Sequence, residues 1–133
     1  MNLNKSTGEI KIGDLDITAN LTPEYIENIG STYDAKIALR NADYLTYIIS
    51  NIDEGESVLS LTFNKKRLVT LNIGIGKNYN FFPFNIAREE NTELTKRLLL
   101  LGGEKKYSWG EVELSEDRKG GTLSIIIRYN RGN

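Results

Sequence analysis

Apolar and polar positions alternate along residues 9–18, where single polar residues separate isoleucine and leucine side chains. The apolar positions are Ile10, Ile12, Leu15 and Ile17. A period of two residues is typical of a strand with one buried face, and a Gly-X pair such as Gly13-Asp14 suits a tight turn. The pattern therefore predicts a short β-hairpin.

The stretch that follows carries the signals of a helix. Thr22 is a favoured N-cap residue, Pro23 fits the first helical position, and Gly30 is typical of a helix end. Leu21 and Ile26 occupy the two positions of a hydrophobic staple, a contact that fixes the direction in which the chain enters a helix. We expect a helix of about two turns that ends at Gly30.

Residues 33–75 return to a period of about two and are rich in β-branched and aromatic residues, which favour strands. The clearest pair is 57–63 with 68–75, because apolar residues alternate with small polar ones in both. Their inward positions are predicted to be Leu59, Leu61, Phe63, Val69, Leu71 and Ile73. Residues 44–49 are almost continuously apolar, so they fit either a strand or a helical turn.

A second helix is predicted between residues 85 and 103. Its apolar stripe consists of Ile86, Leu94, Leu98 and Leu101. Acidic residues lie early in the stretch and basic residues late, which suits the helix dipole, and Gly102-Gly103 end the helix. Asn91 alternatively caps a shorter helix that begins at Thr92.

The last predicted element is a β-hairpin formed by residues 107–115 and 121–129, with a polar, glycine-bearing turn between them. We expect the first strand to pass through Gly110 by a β-bulge, because a bulge shifts the alternation by one residue. The inward side chains are then Tyr107, Trp109, Val112, Leu114, Leu123, Ile125, Ile127 and Tyr129. This hairpin is predicted to be a main source of core burial.

These elements fit into one domain, residues 1–133, since the chain has 133 residues with 39% hydrophobic and 26% charged residues, as in ordinary globular proteins. Successive short strands with two helices predict an α+β fold. We expect a mainly antiparallel β-sheet with the two helices packed on one of its faces.

The composition excludes several kinds of chemistry, because the chain contains neither cysteine nor histidine. Ser-His-Asp triads, Cys-His dyads, disulfides and zinc sites built on these residues are all ruled out. An enzyme would have to work with carboxylates, lysine, tyrosine or backbone amides. We therefore expect a protein that is not an enzyme and that holds no cofactor and no metal.

The charge balance bears on partners and location. A net charge of −1 and a pI near 5.6 provide no basic surface for nucleic acid. The first ten residues lack the apolar core of a signal peptide, and no apolar run approaches the ~20 residues of a membrane span. We expect a cytoplasmic protein that binds neither nucleic acid nor a membrane.

Charged residues of the last hairpin are one candidate site. They are Glu111, Glu113, Glu116, Asp117 and Arg128. If they share the polar face, their negative charge would receive a basic partner protein, since complementary charge speeds and orients association. The simpler interpretation is a polar face that only contacts water.

Aromatic residues form a second candidate site. Phe81, Phe82 and Phe84 flank a proline that excludes a central strand, and Trp109 begins the last hairpin. They are interpreted either as a lid on the core, as a contact surface, or as the lining of a pocket between sheet and helices. Such a pocket would suit a small-ligand-binding domain or a carboxylate-based enzyme.

The sequence "WGEVELSEDRKGGTLSIIIRY" resembles the C-terminal pattern of a group of small, uncharacterised bacterial proteins. The residues that carry the match are Trp109, Gly110, Asp117, Lys119, Gly120, Gly121, Ser124, Ile125, Ile127, Arg128 and Tyr129. The segment "GEIKIGDLDITANLTPE" is similar to the hairpin and capped helix that open the same proteins. The resemblance implies a compact α+β fold and carries no catalytic motif.

Similar small proteins occur near polymorphic-toxin genes, so the resemblance also implies an immunity-type protein that binds a toxin. The function predicted from the sequence is thus that of a non-catalytic bacterial binding protein of the immunity type. The alternative is a domain with a pocket for a small ligand or for carboxylate-based catalysis. The oligomeric state is left open.

Overall fold

The computed structural model of the chain describes residues 1–52, 57–75, 88–117 and 122–129. These residues form ten strands and two helices, which confirms the α+β class. The strands are β1 (Asn2–Leu3), β2 (Ile10–Ile12), β3 (Leu15–Ile17), β4 (Ala35–Asn41), β5 (Tyr44–Ile52), β6 (Ser57–Asn64), β7 (Arg67–Ile75), β8 (Lys105–Tyr107), β9 (Gly110–Asp117) and β10 (Thr122–Tyr129). The helices are α1 (Pro23–Tyr33) and α2 (Arg88–Leu100). Neither of these two helices is long and apolar enough to cross a membrane.

The strands are arranged in two antiparallel sheets. β1, β2 and β3 form a small sheet, in which the predicted hairpin of residues 9–18 is confirmed, with Ile12 opposite Leu15. The other seven strands form one sheet in the order β4-β5-β6-β7-β10-β9-β8. Because β10 pairs with β7, the C-terminal hairpin joins the middle of the chain in one continuous sheet.

One face of the seven-stranded sheet, called the inner face here, carries the core. Two rows of cross-strand partners run over it. One row is Ile49, Leu59, Ile73, Ile125 and Leu114, and the other is Tyr47, Leu61, Leu71, Ile127 and Val112. All are buried except Leu114, which is partly buried, so the predicted inward positions of β6 and β10 are confirmed.

Three elements cover the inner face. α1 lies over β4 and β5 and buries Ile26, while α2 lies over β7, β9 and β10 and buries Leu94 and Leu98. The small sheet contributes the apolar side chains of β2 and β3 to the same core. Both helices therefore pack on one face of the large sheet, as predicted. The opposite face is called the outer face below, and no described helix packs on it.

Residues 44–49, which the pattern leaves open, belong to β5, a strand that lies between β4 and β6. Their apolar run has a simple origin. Tyr47 and Ile49 enter the core from the inner face, whereas Ile48 lies on the outer face and stays exposed. The near-continuous apolar stretch thus combines one buried row with two exposed residues on the outer face, Tyr44 and Ile48.

The first helix begins as predicted but ends later. Thr22 is its N-cap and accepts a hydrogen bond from the backbone N–H of Tyr25. The expected end at Gly30 is wrong, because the helix continues to Tyr33 and stops at Asp34, whose φ of 50° is left-handed. The extra turn places Tyr33 against the core, which offsets the cost of about 1 kcal/mol of a glycine inside a helix.

One further expectation is corrected at β7, and the structure decides between the two predicted starts of the second helix. The pairing of β6 with β7 shifts between Thr62 and Phe63, so Leu68 and not Val69 faces the core. The alternation of residues within one strand does not reveal such a bulge, because the bulge depends on the pairing with the partner strand. α2 begins at Arg88 rather than at Thr92. Ile86, predicted in its stripe, lies outside the described residues.

The predicted first strand of the C-terminal hairpin, 107–115, is instead two strands. β8 ends at Tyr107, Ser108 and Trp109 form a turn, and β9 begins at Gly110, which pairs with Tyr107. Gly110 is needed because a Cβ at this position would overlap the carbonyl oxygen of Arg128 on β10. The glycine therefore serves close packing next to a turn and not a bulge in a continuous strand.

Candidate protein-binding surface

Trp109, predicted as part of an aromatic site, lies in a packed cluster at one end of the sheet. Its indole stacks on Tyr107 with ring centroids 5.0 Å apart and contacts the ring of Tyr129 at 5.6 Å. Its Nε1–H donates to the Lys5 carbonyl oxygen at 2.8 Å. These are the contacts of a packing residue. Phe81, Phe82 and Phe84, the other members of that candidate site, lie outside the described residues.

Part of the predicted acidic site comes together on the outer face. Glu111 is the cross-strand partner of Arg128, and Glu113 is the partner of Ile126. The Arg128 guanidinium donates to both carboxylates, at 3.4 Å to Glu111 and at a shorter distance to Glu113. The hydrogen bond with Glu113 raises the pKa of Arg128. The three side chains thus form one ion-paired cluster.

The other predicted acids are placed differently. Glu116 pairs with Leu123, whose side chain is in the core, so strand alternation puts Glu116 on the opposite face from Glu111 and Glu113. Asp117 pairs with Thr122 on the outer face, but its side chain is not among those described. Lys106 lies opposite Glu111 on the neighbouring strand. Two acids and two bases therefore balance in this part of the outer face.

The centre of the outer face is mostly polar, with the buried Ile126 as an apolar exception. Thr46, Thr62 and Thr70 form a row across β5, β6 and β7, and the Thr46 and Thr62 hydroxyl oxygens lie 3.1 Å apart. In the adjacent row Asn72 lies between Ser60 and Ile126. The Asn72 Oδ1 atom is shielded from water and has no hydrogen-bond partner among the described residues. An unsatisfied acceptor of this kind is unusual in a sheet face that only contacts water.

The far end of the outer face, at β4 and β5, is apolar. Leu39, Tyr44 and Ile48 are between 38% and 50% exposed there. Ile37, on the inner side of the same edge strand, is 45% exposed. β4 is an edge strand, with β5 as its only neighbour among the described strands. Four large apolar side chains thus surround a strand edge with free backbone groups, which is a combination typical of association sites.

Two hollows border β4. The first, of about 450 Å³, lies between β4 and α1 and is lined in part by Ile26, Gly30, Ile37 and Tyr47. Glu27 is also in its wall, and burial together with this carboxylate raises the pKa of the Tyr47 hydroxyl. Lys36 on β4 lines the hollow as well, which is therefore a mainly apolar slot with one acid on the helix side and one base on the strand side.

The second hollow, of about 290 Å³, lies at the other end of β4. Arg40, Lys65 and Lys66 line it together with a single acid, Asp43. Phe63 and Leu45 contribute to its floor. Its excess of positive charge contrasts with the balanced cluster around Arg128. Within the described residues, no group of three or more acids is placed to hold a metal ion.

The β4 edge is the feature that the sequence pattern does not single out. Its alternating residues look like those of any half-buried strand, and its position at the edge depends on the long-range pairing of β7 with β10. One local signal was available. Lys36 and Arg40 flank the apolar residues of β4, and charged residues on a strand are typical of a sheet edge.

Comparison with known proteins finds a solved structure with a similar fold. No protein-family model matches the sequence, and no curated protein matches it either. A solved structure with a similar fold is a chain of "Rhs1-CT in complex with cognate immunity protein RhsI1". The superposition has a TM-score of 0.61 at 14% sequence identity and covers 97% of this chain and 86% of that chain. The likeness concerns the fold, over nearly the whole chain.

Proposed function

We propose that the chain is an immunity-type protein, which binds a toxin and blocks it by forming a complex. The observation that carries this proposal is the similarity of fold, over 97% of the chain, to a chain from a solved complex of a toxin with its cognate immunity protein. The same role is the one predicted in the sequence analysis from the resemblance of the last hairpin to small proteins near polymorphic-toxin genes. A cytoplasmic location is part of the proposal.

Such a complex has two members, and the composition favours the neutralising one. The chain contains no histidine and no cysteine, the side chains that most often supply a general base or a nucleophile near neutral pH. A binding protein needs neither of them. It needs a surface that a partner can cover, and the outer face of the large sheet offers one.

The outer face has the dimensions of a protein interface. Seven strands at a spacing of about 4.8 Å extend over about 29 Å, and a standard interface buries about 800 Å² on each partner, which is a patch of similar width. A toxin that lies on this face would contact the apolar end at Leu39 and Ile48 and the paired charges Glu111, Glu113 and Arg128. Asp117 belongs to the same proposed contact, whereas Glu116 would touch the partner only around the rim.

A growth experiment tests the proposed role. The product of the gene next to the one that encodes this chain, as the candidate toxin, is expressed from an inducible promoter, with and without the chain on a second plasmid. We expect growth arrest with the toxin alone, normal growth with both proteins, and normal growth with the chain alone. Growth arrest caused by the chain alone would assign it the toxic role, and arrest that persists when both are expressed would overturn the neutralising role.

A further inference from the structure

We infer that the exposed edge of β4 is a docking site for an extended, acidic segment of the partner protein, which adds to the large sheet as an eighth strand. The inference rests on the proposed function for the identity of that partner. The geometry behind it belongs to this chain alone: a long strand edge, apolar side chains on both of its sides, and cations at its two ends.

The two edges of the large sheet are not equivalent. β8 spans only Lys105–Tyr107, and next to it the Leu114 N–H already donates to the Glu104 carboxylate. β4 spans seven residues, and six of them are exposed. Natural sheets keep their edges short or covered because unpaired backbone groups recruit other strands. An open edge of this length therefore has the form of a strand acceptor.

Two apolar positions beside β4 can accommodate side chains of an added strand. Ile37 borders the apolar slot beside α1, whereas Leu39 lies on the outer face next to Ile48. An added strand would place one apolar residue in each position. Glu27 and Lys36 both line the slot, so its charges balance and its apolar walls favour an apolar side chain. The expected guest is therefore apolar at its centre and carries its acids at its ends.

Charge decides between a partner and a second copy of this chain. Lys36 and Arg40 flank the apolar centre of β4, and Lys65 and Lys66 add to the positive charge near Arg40. Lys36 also forms an exposed ion pair with Asp34 at 3.8 Å, so most of the excess positive charge lies at the Arg40 end. The pairing of β4 with β5 shifts between Ile37 and Leu39, so Lys36 lies on the outer face and Arg40 on the inner face. Antiparallel pairing of two copies about the centre of β4 would still bring Lys36 of one copy close to the cations at the Arg40 end of the other, and like charges at short distance destabilise such a pair. An acidic guest strand meets opposite charges at the same positions.

Backbone strain supports a role for these cations. Lys65 and Lys66 form the two-residue turn between β6 and β7, with φ values of 51° and 68°. Such turns favour asparagine and glycine, because other residues are strained at positive φ. Two lysines at these positions therefore destabilise the fold. Strained residues of this kind cluster at functional sites, where the side chain itself is needed.

The test uses the full chain and two synthetic peptides of about nine residues. Both alternate valine and threonine, and one ends in glutamates where the other ends in lysines. Hydrogen exchange is measured with and without each peptide. We expect the acidic peptide to protect backbone amides within residues 35–41 and the basic peptide to leave them unprotected. Equal effects of both peptides, or no protection of β4, would overturn the inference, as would protection that grows with the concentration of the chain alone.

Charge-swapped variants connect the edge to the toxin. Lys36→Glu/Arg40→Glu is expected to weaken binding of the acidic peptide and of the toxin domain about tenfold or more. Lys11→Glu/Lys96→Glu makes the same change of net charge at exposed positions away from β4 and is expected to leave both affinities unchanged. If the toxin binds wild type and the β4 variant equally, the inference is wrong and the proposed function stands. If the acidic peptide binds as expected and the toxin does not, the proposed function is wrong and the edge remains an acceptor for acidic strands.

Discussion

The hydroxyl of Tyr129 donates a hydrogen bond to the carbonyl oxygen of Gly8, with the two atoms 2.9 Å apart. The bond joins the last described strand of the large sheet to the turn between the first two strands of the small sheet. Trp109, which bonds to Lys5, attaches to the same turn. The aromatic residues that make the last hairpin recognisable in the sequence therefore hold the two sheets together.

Replacement of Tyr129 with phenylalanine is expected to lower the free energy of unfolding by about 1–2 kcal/mol, because the Gly8 carbonyl then loses its buried partner. Tyr107→Phe is the matched control. The Tyr107 hydroxyl is shielded from water and has no partner among the described residues, so its removal is expected to be neutral or slightly stabilising. Urea denaturation of both variants measures the difference. Equal losses would contradict the assignment of the hydrogen bond.

Alkaline pH is expected to remove the stabilisation that the neutral Tyr129 hydroxyl provides. Burial raises its pKa above the ordinary value of 10.0, so the folded state favours the neutral hydroxyl. The stabilisation is complete below pH 10. Above pH 10 the hydroxyl ionises first in the unfolded chain, so the free energy of unfolding falls by about 1.4 kcal/mol per pH unit. The difference in unfolding free energy between wild type and Tyr129→Phe should therefore shrink by about that amount between pH 8 and pH 11. A constant difference would show that Tyr129 ionises alike in both states.

Two glycines with nearly the same φ distinguish the cost of a steric overlap from the cost of backbone strain. Gly8 has a φ of 83° and Gly103 a φ of 81°. A Cβ on Gly8 would come within 2.5–2.9 Å of three ring carbons of Trp109, whereas a Cβ on Gly103 would have no atom within 4 Å. We expect Gly103→Ala to cost about 1 kcal/mol and Gly8→Ala at least about 2 kcal/mol more.

The fluorescence of Trp109, the single tryptophan of the chain, provides a second measurement that distinguishes the two glycine variants. Its emission should change in Gly8→Ala, because the ring must move, and should stay the same in Gly103→Ala. Equal stabilities and equal spectra for the two variants would contradict the packing of Trp109 on the turn.

The two lysines in the turn between β6 and β7 are expected to lower the stability of the fold and to strengthen the binding of an acidic peptide. Lys65→Asn/Lys66→Gly should raise the free energy of unfolding by about 0.5–1 kcal/mol, since asparagine and glycine tolerate the φ values of 51° and 68°. The same variant should bind the acidic peptide more weakly, because two cations next to Arg40 are removed. Thermal unfolding and peptide titration measure the two effects. A variant that is less stable than wild type would contradict the strain at this turn.

The sequence predicts those parts of the fold that local pattern determines. The hairpin around Gly13, the N-cap at Thr22 and the alternation of β10 are all confirmed, because each depends on residues close together in the chain. The core-facing position of Leu68 was not predicted. It depends on a bulge opposite β6, and so on a partner that alternation within one strand does not identify.

The candidate site was predicted less well than the fold, for a related reason. The acids of β9 are easy to see in the sequence, but their pairing with Arg128 and their distribution over two faces follow from the register of β9 with β10. The exposure of Ile37 and Leu39 depends on the order of all seven strands. Local sequence indicates which residues can act, whereas topology decides which of them meet.

Titration calorimetry of the purified chain with the product of the adjacent gene, as the candidate toxin, tests the central claim most directly. We predict a one-to-one complex with a Kd in the nanomolar range, about −12 kcal/mol. Binding should weaken for Lys36→Glu/Arg40→Glu and persist for Lys11→Glu/Lys96→Glu. The absence of any heat of binding at micromolar concentrations of the two folded proteins would contradict the claim that this chain is an immunity-type protein.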